Sequence, residues 1–413
     1  MSLLARREAI VVFLAFAVAY FLSALLRAIT ATLAPTLAQE FTLQASDLGL
    51  LAGGYFLGFS ATQLPLGQWL DRHGPRAVLL GFLGVAVAGC LVFSVATGFS
   101  GLLAGRVLCG AGVSACLMAP LTGFRRWLDP TAQLRANSWM LMTGSFGMVA
   151  STLPVQWLLP VAGWRPLFWA LAVLLVLAMG LLAASVPRWP VARLAGSVGS
   201  GVPAGYGVVW LHPYFVRLAP LGFFVYGGMV AVQTLWAGPW MQRVAGYTPL
   251  EAATGLFWIN LSMLGTFWAW GLASPWLLRR FGGADPIMAA GLPLSLLVLA
   301  GILLAGEQAG GGAWALYCVS CTFVSLSQPA VALAFPQELA GRALSAFNLV
   351  IFGGVFAVQW GIGLAVDAGM ALGLETVPAF QAAMAGHLAC CAAAYAWFLW
   401  RGQRHNVVQT AIP

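Results

Sequence analysis

The sequence predicts an all-α membrane protein of twelve transmembrane helices, arranged as two matching halves. Three observations predict it. First, the chain of 413 residues is 61% hydrophobic and only 7% charged, whereas a soluble domain carries about 25% charged residues to face water. Second, its apolar residues gather in runs of about 20 residues or more, the length that crosses a bilayer. Third, its basic residues gather on alternate links between those runs.

Taken in order, twelve runs pass the length rule: 9–34, 47–70, 76–97, 101–128, 135–160, 165–186, 213–242, 250–276, 285–305, 312–337, 343–368 and 378–401. The first follows Arg6 and Arg7, as a signal peptide's apolar region follows its basic end. It runs on to about Ala34 without a small-residue cleavage pattern, so it is expected to stay as the first span. Between the second and third runs lies the most charged short window, Gly67 to Arg76, with Asp71, Arg72, Gly74, Pro75 and Arg76. Gly67 suits close helix approach, and Gly74-Pro75 suits a tight turn. Most links are short. The exception, 187–212, is rich in Pro, Gly and Ser and divides an N-terminal bundle, 1–186, from a C-terminal bundle, 213–413. The seven Cys all lie inside apolar runs and are expected to be packing residues rather than a disulfide frame.

Arginine placement predicts the topology. All nineteen basic residues are Arg, which excludes Schiff-base or lysine-relay chemistry. With both termini inside, fourteen of them fall on the cytoplasmic side and only Arg165 and Arg243 on the outer side, with Arg27, Arg106 and Arg217 within runs. This is the positive-inside pattern, so the net charge of +8 is not a signal for nucleic acid. A bacterial inner membrane is the expected location.

The halves echo each other. Arg135-Ala136-Asn137-Ser138 followed by Gly147 matches Arg342-Ala343-Leu344-Ser345 followed by Gly354. Leu70 to Gly74 matches Leu278 to Gly282, with Asp71 replaced by Arg279. Both copies begin inside and run the same way, as parallel repeats do. The hinge window, with its Gly-x-x-x-Asp-Arg-x-Gly-x-Arg spacing, resembles the loop between helices two and three of the major facilitator superfamily of secondary transporters. Arg106 with Gly110 and Gly112, and Gly163-Trp164-Arg165, also resemble that family's motifs, and the resemblance covers the whole chain. It implies two six-helix bundles, alternating access and a gating loop made of Gly67, Asp71, Arg72, Gly74 and Arg76.

Candidate binding residues are the polar groups within spans. Arg27 leads, because a charge at depth should face protein or a cavity. Tyr20, Ser23 and Arg27 share one helical face. A guanidinium there is a forked donor to a carboxylate, phosphate or sulfonate; the other reading is that it snorkels or ties helix carbonyls together. Arg106 could join it, or serve packing beside Gly110 and Gly112. Arg217 is expected to snorkel as an anchor. Span seven offers Tyr226, Gln233 and Trp236 on one face, with a kink at Gly238-Pro239. Gln63, Asn260, Gln328 and Asn348 complete the set, and some of these amides are expected to be interhelical bonds instead.

No Asp or Glu lies mid-span, and His387 is the single imidazole at depth. That disfavours a carboxylate-driven drug antiporter. Cys318, Cys321 and the Cys390-Cys391 pair near His387 keep copper(I) import as a minor option. A nucleophile–base pair or metal triad, which an enzyme would need, is not found. The expectation is a non-enzymatic secondary transporter for a small organic anion, with efflux of hydrophobic or cationic compounds as the alternative. No cofactor, no resident metal and no nucleic acid is expected; the partners are a small-molecule substrate and the lipid bilayer, and the protein is expected to be a monomer.

Overall fold

The computed structural model describes residues 4–188 and 206–410, and these are helical almost throughout. The helices are α1 (Arg6–Phe41), α2 (Ala45–Ala61), α3 (Gln63–Ser94), α4 (Phe99–Val113), α5 (Ala115–Trp127), α6 (Pro130–Ala150), α7 (Leu153–Ala162) and α8 (Trp164–Ser185). After the central link, most of which lies outside the described residues, come α9 (Gly207–Trp210), α10 (Pro213–Pro220), α11 (Gly227–Ala231) and α12 (Ala237–Arg243). The chain ends with α13 (Pro249–Phe281), α14 (Ala284–Ala305), α15 (Gly311–Cys321), α16 (Ser327–Leu333), α17 (Gln337–Ala371) and α18 (Thr376–Thr410). Among the described residues, ten helices are long and apolar enough to cross a membrane, or eleven when the pair Arg135–Ala150 and Leu153–Ala162, bent by 42°, is one span.

The run expected as span two is divided, and prolines explain this break and the bend. α2 stops at Ala61 because a continuous helix would need a Pro65 N–H to reach the Ala61 carbonyl, and proline has none. The chain re-enters helix at Gln63 and runs to the Gly74 turn, where φ is 76°. Only glycine takes that angle cheaply, so the hinge window does turn at Gly74. The bend between α6 and α7 falls at Ser151-Thr152, between Pro154 and the Ala150 carbonyl that a Pro154 N–H would have met. Span seven, Pro213–Arg243, stays one span. It absorbs Pro220 and Pro239 through two wide, π-type stretches, Leu221–Tyr226 and Val232–Trp236. The expected Gly238-Pro239 kink takes this form.

α13 opens on a capping box. The Thr248 hydroxyl accepts from the Glu251 N–H, the Glu251 carboxylate accepts from the Thr248 N–H, and Pro249 sits in the first turn. It closes on Gly282 at φ 75°. Arg217 does not snorkel: it pairs with Asp285 and donates to the Phe398 carbonyl, while the Tyr214 hydroxyl donates to the same carboxylate.

Two compact units emerge. One comprises Met1–Leu37 and Gly54–Val202, the other Ala38–Gly53 and Pro203–Pro413. α2 therefore contributes to both. In the first unit, glycines let backbones touch. A Cβ at Gly58 would strike the Val107 carbonyl, one at Gly110 the Tyr55 carbonyl, and one at Gly112 the Ala86 backbone. In the second unit, Gly227 and Gly354 bring span seven against α17, and Gly49 and Gly363 bring the start of α2 against α17 in the same way. Large apolar side chains such as Leu177, Leu272, Trp268 and Trp139 point outward, as lipid-facing residues do. Among the described residues, the acids sit at helix ends or in links: Glu8, Asp47, Glu251 and Asp285 occupy first turns, and Glu307 a short link.

Candidate functional site

The first unit holds two guanidinium groups in its interior. Arg27, about two-thirds along α1, keeps part of its surface accessible. Its nearest polar neighbours are phenols, the Tyr20 and Tyr55 hydroxyls. Tyr55 donates to the Ser23 carbonyl, 3.3 Å away, which leaves its oxygen as an acceptor. The Phe59 ring lies 5.7 Å from the guanidinium carbon, and the Cys116 thiol is near. The Arg27 Nε has no hydrogen-bond partner.

Local packing explains the arrangement. Gly144 on α6 makes room for the Tyr20 ring, and Gly147 lets the α6 backbone approach the Phe21 carbonyl of α1. That fixes Tyr20 beside Arg27. The α2–α4 contact at Gly58 and Gly110 places Tyr55 between the two arginines. Arg106, 1% exposed, stacks over the Tyr55 ring at 4.9 Å and donates to the Leu26 carbonyl at 2.9 Å. Its Nε and Nη2 have no partner. Neither guanidinium faces a carboxylate among the described residues. A buried cation of this kind normally demands pairing. Cys90 and Cys109, with thiols 3.8 Å apart, pack next to Arg106.

In the second unit the amides sort into pairs. Tyr226 donates to the Gln328 side chain at 3.3 Å, and Gln328 donates to Asn348 at 2.7 Å. Gln233 donates to Asn260 at 3.0 Å, and Asn260 donates to the Leu256 carbonyl. The Trp236 indole donates to the Gln359 carbonyl, and the Gln359 amide donates to Thr234. Gln233 and Trp236 are buried, and their polar atoms are taken up by α13 and α17. The Tyr226–Gln328–Asn348 chain is only part-buried and is the more accessible group. Gln63, in the first unit, is buried and donates to the Phe59 carbonyl near the end of α2. His387 meets the Tyr317 hydroxyl at 3.3 Å and the Cys391 thiol at 3.6 Å, against Gly228.

The gating window is placed as follows. A Cβ at Gly67 would meet nothing within 4 Å, so Gly67 makes no close approach here. Arg72 is exposed, and Arg76 donates to the Ala183 carbonyl of α8. The Asp71 side chain lies outside the described residues. Sequence reasoning missed Tyr55, Phe59 and Cys116 as neighbours of Arg27. The signal for Tyr55 was present, as a phenol bracketed by Gly54 and Gly58 in an otherwise apolar run.

All-helical, built of membrane-length spans and carrying buried polar clusters, the molecule is a polytopic membrane protein. The chain belongs to the Major Facilitator Superfamily, whose sequence profile matches residues 16–359. It is similar to the gallate transporter of Pseudomonas putida, 25% identical over 401 residues that cover 87% of this chain and 86% of that protein. It is 30% identical to the inner membrane transport protein YajR of Escherichia coli (strain K12), over 34% of this chain and 31% of YajR. A chloramphenicol resistance protein of Streptomyces lividans is 28% identical over 65% of this chain and 66% of its own. The chain thus spans about a third of YajR and most of the gallate transporter. Among solved structures it resembles a bacterial homologue of the human lysosomal transporter Spinster in an inward-facing, occupied conformation. That match has a TM-score of 0.76 at 17% identity, covering 97% of this chain and 98% of the other, and it shows the fold.

Proposed function

We propose that the protein is a secondary transporter, not an enzyme, that moves a small organic anion across the bacterial inner membrane by alternating access. Arg27 anchors the anion, and Tyr20 is a hydroxyl donor beside it. The observation that carries this is the partly accessible Arg27 guanidinium, held at depth by neutral phenols with one nitrogen unpartnered. A carboxylate entering there gains a forked, charge-assisted bond. The likeness to a gallate transporter over most of both chains supports a carboxylate guest. The proposal keeps two six-helix bundles, 1–186 and 213–413, joined by the 187–212 link, with both termini cytoplasmic, a gating loop at 67–76 and a monomeric protein.

The test is a thermal-shift screen of purified protein against benzoate, 4-hydroxybenzoate, gallate, succinate, sugars, amino acids and lipophilic cations, followed by flux of the stabilising solute into proteoliposomes. Ligands that prefer the native state raise its melting point by mass action. A carboxylate should stabilise the protein and cross the membrane, and Arg27→Ala, verified as folded by size-exclusion chromatography, should abolish both. Normal transport by Arg27→Ala would end the assignment.

One alternative keeps a specific support. The likeness to a chloramphenicol resistance protein fits efflux of a hydrophobic compound, and in that case the screen would single out lipophilic compounds and Arg27→Ala would leave flux intact. Copper import gains nothing, because among the described residues no three His, Cys, Asp or Glu side chains come together to hold a metal.

A further inference from the structure

We infer that the transporter works as an anion exchanger: the return step requires a second anion in the site, rather than a proton. The inference rests on the anion site proposed above and concerns how that site resets.

A carrier that accumulates its solute with protons needs a group in its interior that gains and loses one. That group is ordinarily a carboxylate or an imidazole. The eleven acids of this chain are Glu8, Glu40, Asp47, Asp71, Asp129, Glu251, Asp285, Glu307, Glu338, Asp367 and Glu375; ten lie near a helix end or in a link, and Asp71 lies in α3 three residues before its break at Gly74. Several are already engaged there: Asp47, Asp129 and Glu251 accept from backbone N–H groups at helix starts. Asp285 holds Arg217 and Tyr214, and Asp367 accepts from the first turn of α2. His387 is 5% exposed and is enclosed by Tyr317, Cys391 and Gly228.

The site itself carries two charges that cannot be switched off. Arginine stays protonated at any working pH. The groups facing Arg27 are Tyr20, Tyr55 and Cys116, and those facing Arg106 are Tyr55, Cys90 and Cys109. None of these is an acid that ionises readily near neutrality. With a guest bound, the anion offsets part of the double positive charge. Without a guest, one nitrogen of the partly accessible Arg27 and two of the buried Arg106 lack a hydrogen-bond partner. Carrying an unpaired charge through an occluded state is costly. The loaded protein therefore turns over more easily than the empty one. Solute moves inward only when another anion moves outward.

The experiment uses the full-length protein in proteoliposomes, with labelled 4-hydroxybenzoate and labelled succinate as probes. Influx into vesicles preloaded with the same unlabelled anion should exceed influx into empty vesicles by about tenfold or more. Neither an imposed pH gradient nor a potassium diffusion potential should close that gap. His387→Gln should leave the ratio unchanged. Empty vesicles under a pH gradient that fill as fast as preloaded ones would overturn exchange, and so would a His387→Gln ratio that collapses. A probe that stabilises the protein in the thermal screen yet shows no exchange flux also overturns exchange, and leaves the anion site standing. Absence of both stabilisation and flux for every carboxylate would remove the anion reading and exchange together.

Discussion

Asp367 is a residue whose removal should act at a named pair of atoms. Its carboxylate accepts from the Ala45 N–H at 3.1 Å and from the Ser46 N–H at 2.7 Å, the first free donors of α2. Those donors have no partner within their own helix, and a negative charge there also meets the positive end of the helix dipole. Replacing a side-chain cap by alanine costs about 0.5–2 kcal/mol. Here two bonds are lost, but Asp47 still accepts from the Gln44 N–H at 3.0 Å and keeps one donor satisfied. We therefore expect Asp367→Ala to weaken the first turn of α2 by about 1–2 kcal/mol, a factor of roughly 5–30 in its opening equilibrium. Hydrogen exchange read by mass spectrometry on the 43–48 peptide should show that acceleration at Ala45 and Ser46. Asp367→Asn should fall between, because an amide oxygen still accepts one bond. A folded Asp367→Ala protein with unchanged exchange at those two amides would refute the reasoning.

Other outcomes follow from the packing. Gly110→Ala drives a Cβ into the Tyr55 carbonyl and should cost about 1–3 kcal/mol or more, read as a lowered melting midpoint. Gly81→Ala meets nothing within 4 Å and should be neutral or gain up to about 1 kcal/mol. Gln328→Leu strands Asn348 and should cost about 1–3 kcal/mol, of which the double variant Gln328→Leu/Asn348→Leu should recover part in a double-mutant cycle. Asp285→Asn removes a half-buried charge from Arg217 and should lower stability by about 1–3 kcal/mol, measured by thermal unfolding in detergent.

The membrane-length runs, the hinge turn at Gly74 and the start of α13 could be read from the sequence, because each depends on residues close in the chain. Apolar length sets a span, a glycine sets a left-handed turn, and Thr248 with Glu251 sets a cap. The division of span two at Ala61 was also within reach, since Pro65 forbids the bond that would continue the helix, but run length alone concealed it. The candidate site was legible in Arg27, in Tyr20 on the same helical face and in Arg106, but not in Tyr55. Arg27 stood out by its charge, whereas Tyr55 came to it through a glycine contact between α2 and α4, which no local pattern encodes. The amides show the same limit. Gln233 and Asn260, or Gln328 and Asn348, look alike in sequence, and only the three-dimensional pairing distinguishes a buried bond from an accessible chain. Arg217 was misjudged for the same reason: its partner Asp285 lies on a different helix.

The two wide stretches of span seven have a consequence of their own. A π-type turn holds one more residue than an α-turn. If Val232–Trp236 tightened to ordinary α-helix, everything beyond it would rotate by about 100° and advance about 1.5 Å, the step of a single residue. Gln233 would then swing out of line with Asn260, and Trp236 out of line with the Gln359 carbonyl. Span seven thus carries a built-in screw thread, able to dial its indole and amide to a new bearing while its bulk stays wound.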